Sequence, residues 1–429
     1  MYYLEPSEIV PCEEIPDVYT FRDGSRVNNA GLWQARANEI KGMFEYYMYG
    51  PLPDSSSERV MYTVGDWEYK MQSIGLPDGE NVKMQIRTTK LTISVVCGEK
   101  QVSYDAKICM PMEVAPDEGY PVYIEMSFVW PGRELELSAN AYYAATRGYA
   151  TICYNPVDVA NDKRGREGIF YDLHPYGEDW EQQTGVLAAW GWGASKILDA
   201  LEAGLGGKLG ICQRKNILSG VSRFGKATLV AGAYDKRIKV VVPACSGAGG
   251  AAMYRCRSKG YVYDLASVGY QDAEGNSEYK VGQNEALRNL QSDAEAHWFN
   301  DTFLLFESEE QLPLDQHELA ALIADENRYL FMISSITEED WVNAVAMGYT
   351  FREARKVYEF LGFRNHICLR EHLKGHAILL TDMEKLLDYC DRIFNRASSF
   401  EIQEVVNDMQ SSIFWKEDGR PNVCKPILF

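Results

Sequence analysis

Histidine is scarce in this chain, six among 429 residues, so any chemistry that needs an imidazole has few places to find one. Positive charge is in deficit too: 43 Lys and Arg stand against 62 Asp and Glu, a formal net charge of −19. Nucleic acid and anionic membrane surfaces would be repelled, so neither is expected as a partner. No apolar run approaches the roughly 20 residues that span a bilayer. The first residues, MYYLEPSEIVPCEEIPD, show neither a basic start nor an apolar stretch of signal-peptide length. The ten cysteines are scattered without metal-like spacing, and a chain this long needs no disulfide framework. Reduced thiols are therefore expected, in a cytoplasmic protein or in a secreted one whose signal has been removed. No metal or other cofactor is implied. Internal repeats, low-complexity tracts and dividing linkers are also missing. One domain is expected over 1–429, with a helix and β-rich flank at 15–115, a core at 116–400 and a tail at 401–429.

What is present is a hydrophobic content of 46% with nine tryptophans, enough for a sizeable core. Residues 28–49 predict a helix, because Trp33, Ala37, Ile40, Phe44 and Met48 recur at spacings of three and four. Asn28 or Asn29 is placed to cap it, and Gly50-Pro51 ends it. Alternating β-branched segments follow at 59–73, 82–97 and 102–110, with a hairpin turn at 98–100. Beyond residue 119 short apolar runs at 121–128, 149–153, 216–221, 238–245, 328–335 and 366–370 alternate with helical stretches. Strands alternating with helices predict an α/β fold, a three-layer sandwich with a mostly parallel central sheet and helices on both faces. The earlier segments form its antiparallel N-terminal flank.

The stretch GVSRFGKA at 220–227 joins the strand at 216–221 to an alanine-rich helical pattern. A serine with glycines close by, Gly220 before it and Gly225 after it, at a sharp strand-to-helix turn has its hydroxyl exposed and the N–H groups of a helix start nearby. That is how a hydrolase presents a nucleophile, although Phe224 occupies the place of the second glycine in the usual G-x-S-x-G. Ser222 then needs a base, and a carboxylate to orient it. Of the six histidines His174 precedes the serine, His297 and His317 come too early, His366 begins a strand and His372 lies at its end. His376 follows Lys374-Gly375 and precedes a helix, the loop where the base belongs. For the acid, the loop after 328–335 reads Thr-Glu-Glu-Asp-Trp at 337–341.

GVSRFGKA and the downstream CSGAGGAAMYR at 245–255 closely resemble the glucuronoyl esterases, whose pattern is G-[CH]-S-R-x-G-K followed by S-G-x-G-G. The segments at 21–53, 185–201, 312–324 and 372–394 extend the resemblance to about residues 15–395. Val221 departs from the pattern's Cys or His. The resemblance implies the α/β-hydrolase fold and hydrolysis of the ester between (4-O-methyl-)D-glucuronic acid on xylan and an alcohol, typically of lignin. It implies Ser222 as nucleophile, His376 as general base and Arg223 as an oxyanion partner. Lys226, Glu285 and Trp341 match residues that hold the uronate ring. Many fungal members carry the acid where this chain has Cys245; the bacterial spacing, two residues before a tryptophan, selects Glu339, with Asp340 as the alternative. A different carbohydrate carboxylesterase, such as an acetyl-xylan esterase, and a non-catalytic carbohydrate-binding relative remain open.

Overall fold

A computed structural model describes residues 3–282, 284–336, 340–396, 409–416, 418 and 420–422. Among the described residues there are twelve strands: β1 (Glu58–Val64), β2 (Glu68–Gly75), β3 (Asn81–Cys97), β4 (Lys100–Met110), β5 (Tyr120–Met126), β6 (Ala150–Tyr154), β7 (Ile211–Val221), β8 (Val240–Ala244), β9 (Val262–Asp264), β10 (Glu278–Lys280), β11 (Tyr329–Ser335) and β12 (Ile367–His372). Ten of them make one sheet in the order β1-β3-β4-β6-β5-β7-β8-β11-β12, with β2 also on β3. Pairs from β6 through β5, β7, β8 and β11 to β12 are parallel, whereas β1, β2, β3 and β4 pair antiparallel and join the core through β4 and β6. The mostly parallel sheet with an antiparallel flank therefore stands as expected. The segment expected at 59–73 is two strands, broken at Gly65, and β9 with β10 forms a separate hairpin outside the sheet.

The period-2 alternation of the strands sorts side chains to two faces. On one face Val241, Leu330, Met332 and Leu369 join a core with the helices Ala30–Phe44, Val186–Ala200, Arg223–Tyr234 and Ala344–Phe360. On the other, Val240, Val242, Phe331 and Ile333 pack with the helices Ala139–Thr146 and Leu380–Ile393. Full burial of each such side chain contributes roughly 1.5–3 kcal/mol, so the sheet is locked from both sides. The first helix is capped by Asn29, whose side chain accepts from the Leu32 N–H, and its last turn, Glu45–Tyr49, widens to a π-helix. The sequence reading names no helix at 344–360, yet this 17-residue helix buries Val345, Met347, Phe351, Ala354 and Val357 along one side.

A parallel sheet gathers the C-terminal ends of its strands along one edge, and ligands bind there. Here that edge carries Ser127 and Phe128 after β5, Ser222 after β7, Cys245 after β8 and the loop holding His376 after β12.

Candidate active site

Ser222 sits between β7 and the helix Arg223–Tyr234 at φ 61°, ψ −128°. A non-glycine residue there costs of order 1–3 kcal/mol and persists only where its surroundings over-determine it. The constraint is visible: the Ser222 N–H donates to the Ala244 carbonyl at 2.9 Å, and the Lys226 N–H donates to the Ser222 carbonyl at 3.0 Å. A Cβ on Gly225 would lie 2.6 Å from the Ala244 carbonyl oxygen, so only glycine lets the helix start this close to β8. The turn expected from GVSRFGKA is the one observed.

The neighbouring turn, after β8, repeats the strain. Cys245 has φ 44° and is buried, its N–H donating to Ile333 and its Sγ lying 4.0 Å from the Ala377 carbonyl. That contact brings the end of β8 against the histidine loop. The loop is braced from below by His372, whose Nδ1 accepts from the Lys374 N–H at 3.2 Å and whose Nε2 lies 3.0 Å from the Ala377 carbonyl. His376 itself is half-buried. The expected acid Glu339, and the side chain of its alternative Asp340, lie outside the described residues.

Arg223, beside the nucleophile, does not stand alone. Its guanidinium pairs with Asp162, which also accepts from Trp298 Nε1 at 2.7 Å and meets His297 Nε2 at 2.9 Å. Burial pushes the Asp162 carboxyl upward, but those two hydrogen bonds and the Arg223 charge hold it below the ordinary carboxylate value. Two rings flank the guanidinium, with centroids 5.6 Å (Phe128) and 6.0 Å (Trp298) from Cζ. Phe128 in turn packs against Phe224, the two rings tilted by 32° with centroids 4.4 Å apart. Glu125, at the end of β5, accepts from Ser127 Oγ and Ser138 Oγ at 2.9 and 2.7 Å, so one buried carboxyl ties both ends of the Phe128 loop.

One helical turn past the serine, Lys226 is buried and its ammonium has three acceptors: Ser246 O at 2.8 Å, Ala248 O at 2.6 Å and Glu285 Oε2 at 2.7 Å. All three N–H groups are thereby used. Lys226 thus holds Glu285 in place. Burial pushes the Glu285 carboxyl above its ordinary value, against the pull of Lys226. Gly247, the glycine that opens S-G-A-G-G, explains that motif: a Cβ there would lie 2.1 Å from Glu285 Oε2 and 3.1 Å from Lys226 Nζ. Trp341 is half-buried, and its carbonyl accepts from the Glu285 N–H at 2.8 Å. The structure therefore joins Lys226, Glu285 and Trp341 in one chain of contacts, with the Trp298 ring 5.8 Å from Lys226 Nζ.

Asp162, His297 and Trp298 escape the sequence reading. Asp162 lies in an ordinary polar loop, and nothing local reveals which guanidinium it will meet. His297 and Trp298 stand in the run EALRNLQSDAEAHWF at 285–299, where His-Trp was the available signal. Among the described residues no cluster of His, Cys, Asp and Glu is arranged to hold a metal ion, and no helix is long and apolar enough to cross a membrane.

A family model described as glucuronyl esterase, fungi, matches residues 93–362. A multidomain esterase of Ruminococcus flavefaciens is 36% identical over 415 residues, covering 95% of this chain and 49% of the relative. The chain thus spans about half the length of that protein. A 4-O-methyl-glucuronoyl methylesterase of Schizophyllum commune is 29% identical, covering 85% of this chain and 77% of its own. A solved carbohydrate esterase family 15 glucuronoyl esterase from Caldicellulosiruptor kristjansonii is 37% identical with a TM-score of 0.73, covering 92% of this chain and 96% of its own.

Proposed function

The chain belongs to the glucuronoyl esterase family, and from that membership together with the site geometry we propose that it hydrolyses esters of (4-O-methyl-)D-glucuronic acid. Ser222 Oγ attacks the ester carbonyl while His376 takes the hydroxyl proton, and the resulting tetrahedral oxyanion is met by positive groups at the helix start. Arg223 supplies two of these: its backbone N–H, at the first position of the helix, and its guanidinium. A guanidinium stays charged throughout the working pH range, and its planar donors suit a developing oxyanion. Loss of one such donor costs about 3 kcal/mol of transition-state stabilisation in comparable sites. Collapse expels the alcohol, which takes its proton from His376. Water then attacks the acyl-enzyme by the same route, and uronic acid leaves as its anion. Glu339 is assigned to orient His376, the role for which a neutral thiol at Cys245 is unsuited.

On the acyl side Glu285, held by Lys226, offers its remaining lone pairs to sugar hydroxyls, and Trp341 presents an indole to the pyranose. The observation that carries this reading is the placement of Ser222. It is a strained residue at the binding edge of the sheet, one helical turn from a buried Lys226–Glu285 pair. The test is kcat/KM for benzyl D-glucuronate against an aryl acetate, in the parent and in Ser222→Ala. Glucuronate ester cleavage that vanishes in the variant is expected. Preference for the acetate would move the assignment to another carboxylesterase, and tight sugar binding without turnover would remove the enzyme reading.

A further inference from the structure

Among the described residues five that are not glycine have φ in the left-handed region. Asn343 and Asn395 are of a type that tolerates it, and Ser222 and Cys245 hold it at the turns of the site. The fifth is Arg166, at φ 52°, four residues after Asp162. Such an outlier persists only where its surroundings over-determine it, and here they lead to Arg223. We propose that Arg166 is a positioning residue for the oxyanion partner: it fixes the turn that aims Asp162, and Asp162 holds the Arg223 guanidinium. This role rests on the reading in which Arg223 meets the oxyanion.

The Arg166 guanidinium donates to two main-chain carbonyls, those of His297 and Phe299, on either side of Trp298. The carbonyl between them, that of Trp298, packs on Gly185, where a Cβ would lie 2.4 Å from it. All three consecutive carbonyls are thus held, two of them by one planar fork whose donors keep a fixed spacing. The fork is itself seated. The Tyr176 ring centroid lies 4.5 Å from Cζ, and the Tyr176 hydroxyl donates to Asp301 Oδ1 at 2.8 Å, further along the same segment.

What this turn carries is the grip on Asp162. His297 Nε2 at 2.9 Å and Trp298 Nε1 at 2.7 Å meet the same oxygen, Oδ1, and leave Oδ2 to Arg223. Asp162 and Arg166 also share one closed loop, since the Asn161 N–H donates to the Glu167 carbonyl at 2.9 Å. One loop therefore holds the turn twice, by its backbone through Arg166 and by its side chains through Asp162. Freeing the carbonyls lets His297 and Trp298 shift, and Oδ2 is then no longer presented at one angle. The Arg223 side chain is 41% exposed, so a guanidinium released from that hold has solvent to sample. The loss falls on the transition state, where donor placement counts most, rather than on ground-state binding.

Steady-state kinetics on benzyl D-glucuronate and on an aryl acetate tests this, because both esters pass through the same oxyanion. Arg166→Met is expected to lower kcat roughly tenfold on both, a part of the 10²–10³-fold that a whole donor is worth, with KM for the acetate within about twofold. In an Arg223→Met background the same substitution should change kcat less than about twofold, since residues that act through one another are not additive. Arg166→Gly, which relieves the φ of 52°, should lose as much kcat as Arg166→Met. Full kcat in Arg166→Gly would overturn the proposal and trace any loss in Arg166→Met to misfolding. An undiminished loss in the Arg223→Met background would overturn it as well, making Arg166 a brace unconnected with Arg223. A loss confined to glucuronate would move Arg166 to sugar binding and end the proposal. A parent that cleaves the acetate but not the glucuronate would sink the uronate reading alone, with the Arg166 comparison still read on the acetate; a parent that cleaves neither would sink both.

Discussion

Replacing Lys226 with methionine isolates the pair that anchors the sugar side of the site. The ammonium donates to two carbonyls and to Glu285, and the two side chains are 4% and 2% exposed. Methionine fills similar volume but leaves a buried carboxylate with no cation. Breaking a buried pair on one side costs about 3–5 kcal/mol, mostly the penalty of the abandoned charge. Unfolding entropy of about 2.1 cal/mol/K per residue gives roughly 0.9 kcal/mol/K for 429 residues. The transition should therefore fall by about 3–6 °C. The deficit must also depend on pH. In the variant the folded-state pKa of Glu285 lies further above its unfolded value of about 4.3. A raised group contributes stability that is present below its unfolded pKa and lost as pH rises through the folded one. Lys226→Met should then be more damaging at pH 8 than at pH 5, and Glu285→Leu added to it should restore most of the loss. Thermal unfolding of the three proteins at both pH values checks this. A deficit below about 1 kcal/mol, equal at pH 5 and pH 8, would refute the reasoning.

Ser222→Gly should abolish esterase activity while raising stability by about 1 kcal/mol, since glycine relieves the φ of 61°; Ser222→Ala should abolish activity with no such gain. Arg223→Met should lower kcat roughly 10²–10³-fold, and Asp162→Asn, which keeps the guanidinium but loosens its hold, should cost less; steady-state kinetics on benzyl glucuronate orders the two. Glu371, on β12, accepts from the Ile413 N–H and Ser412 Oγ, and burial raises its carboxyl to about 7. Its stabilising contribution is full below about pH 4.3 and fades through pH 7, so Glu371→Gln should stabilise the protein at pH 8.5, by up to about 3 kcal/mol, and little at pH 5. Denaturant unfolding at the two pH values measures it.

Much of this organisation was legible in the chain. Alternation and the switch from two-residue to 3.6-residue periods located the sheet strands, because burial on both faces of a parallel sheet leaves near-continuous apolar runs. The turn at Ser222 was legible because the backbone approaches at Gly220 and Gly225 leave no room for a side chain. His376 could be chosen because the histidines are so few. The helix Ala344–Phe360 was less legible: its apolar face alternates with Arg352, Glu353, Arg355 and Lys356, whose charges dilute the pattern until the fold shows which side is buried.

Sequence alone therefore determined the fold class and the family, and the strand-to-helix turn at Ser222, all properties written in local spacing and chirality. Only the tertiary structure decided the electrostatic partners. Asp162 and Arg223 are 61 residues apart, Lys226 and Glu285 are 59 apart, and neither separation obeys a period. Which carboxylate meets which cation depends on where the loops converge at the strand ends. That is why the sequence could not show that Lys226 meets Glu285.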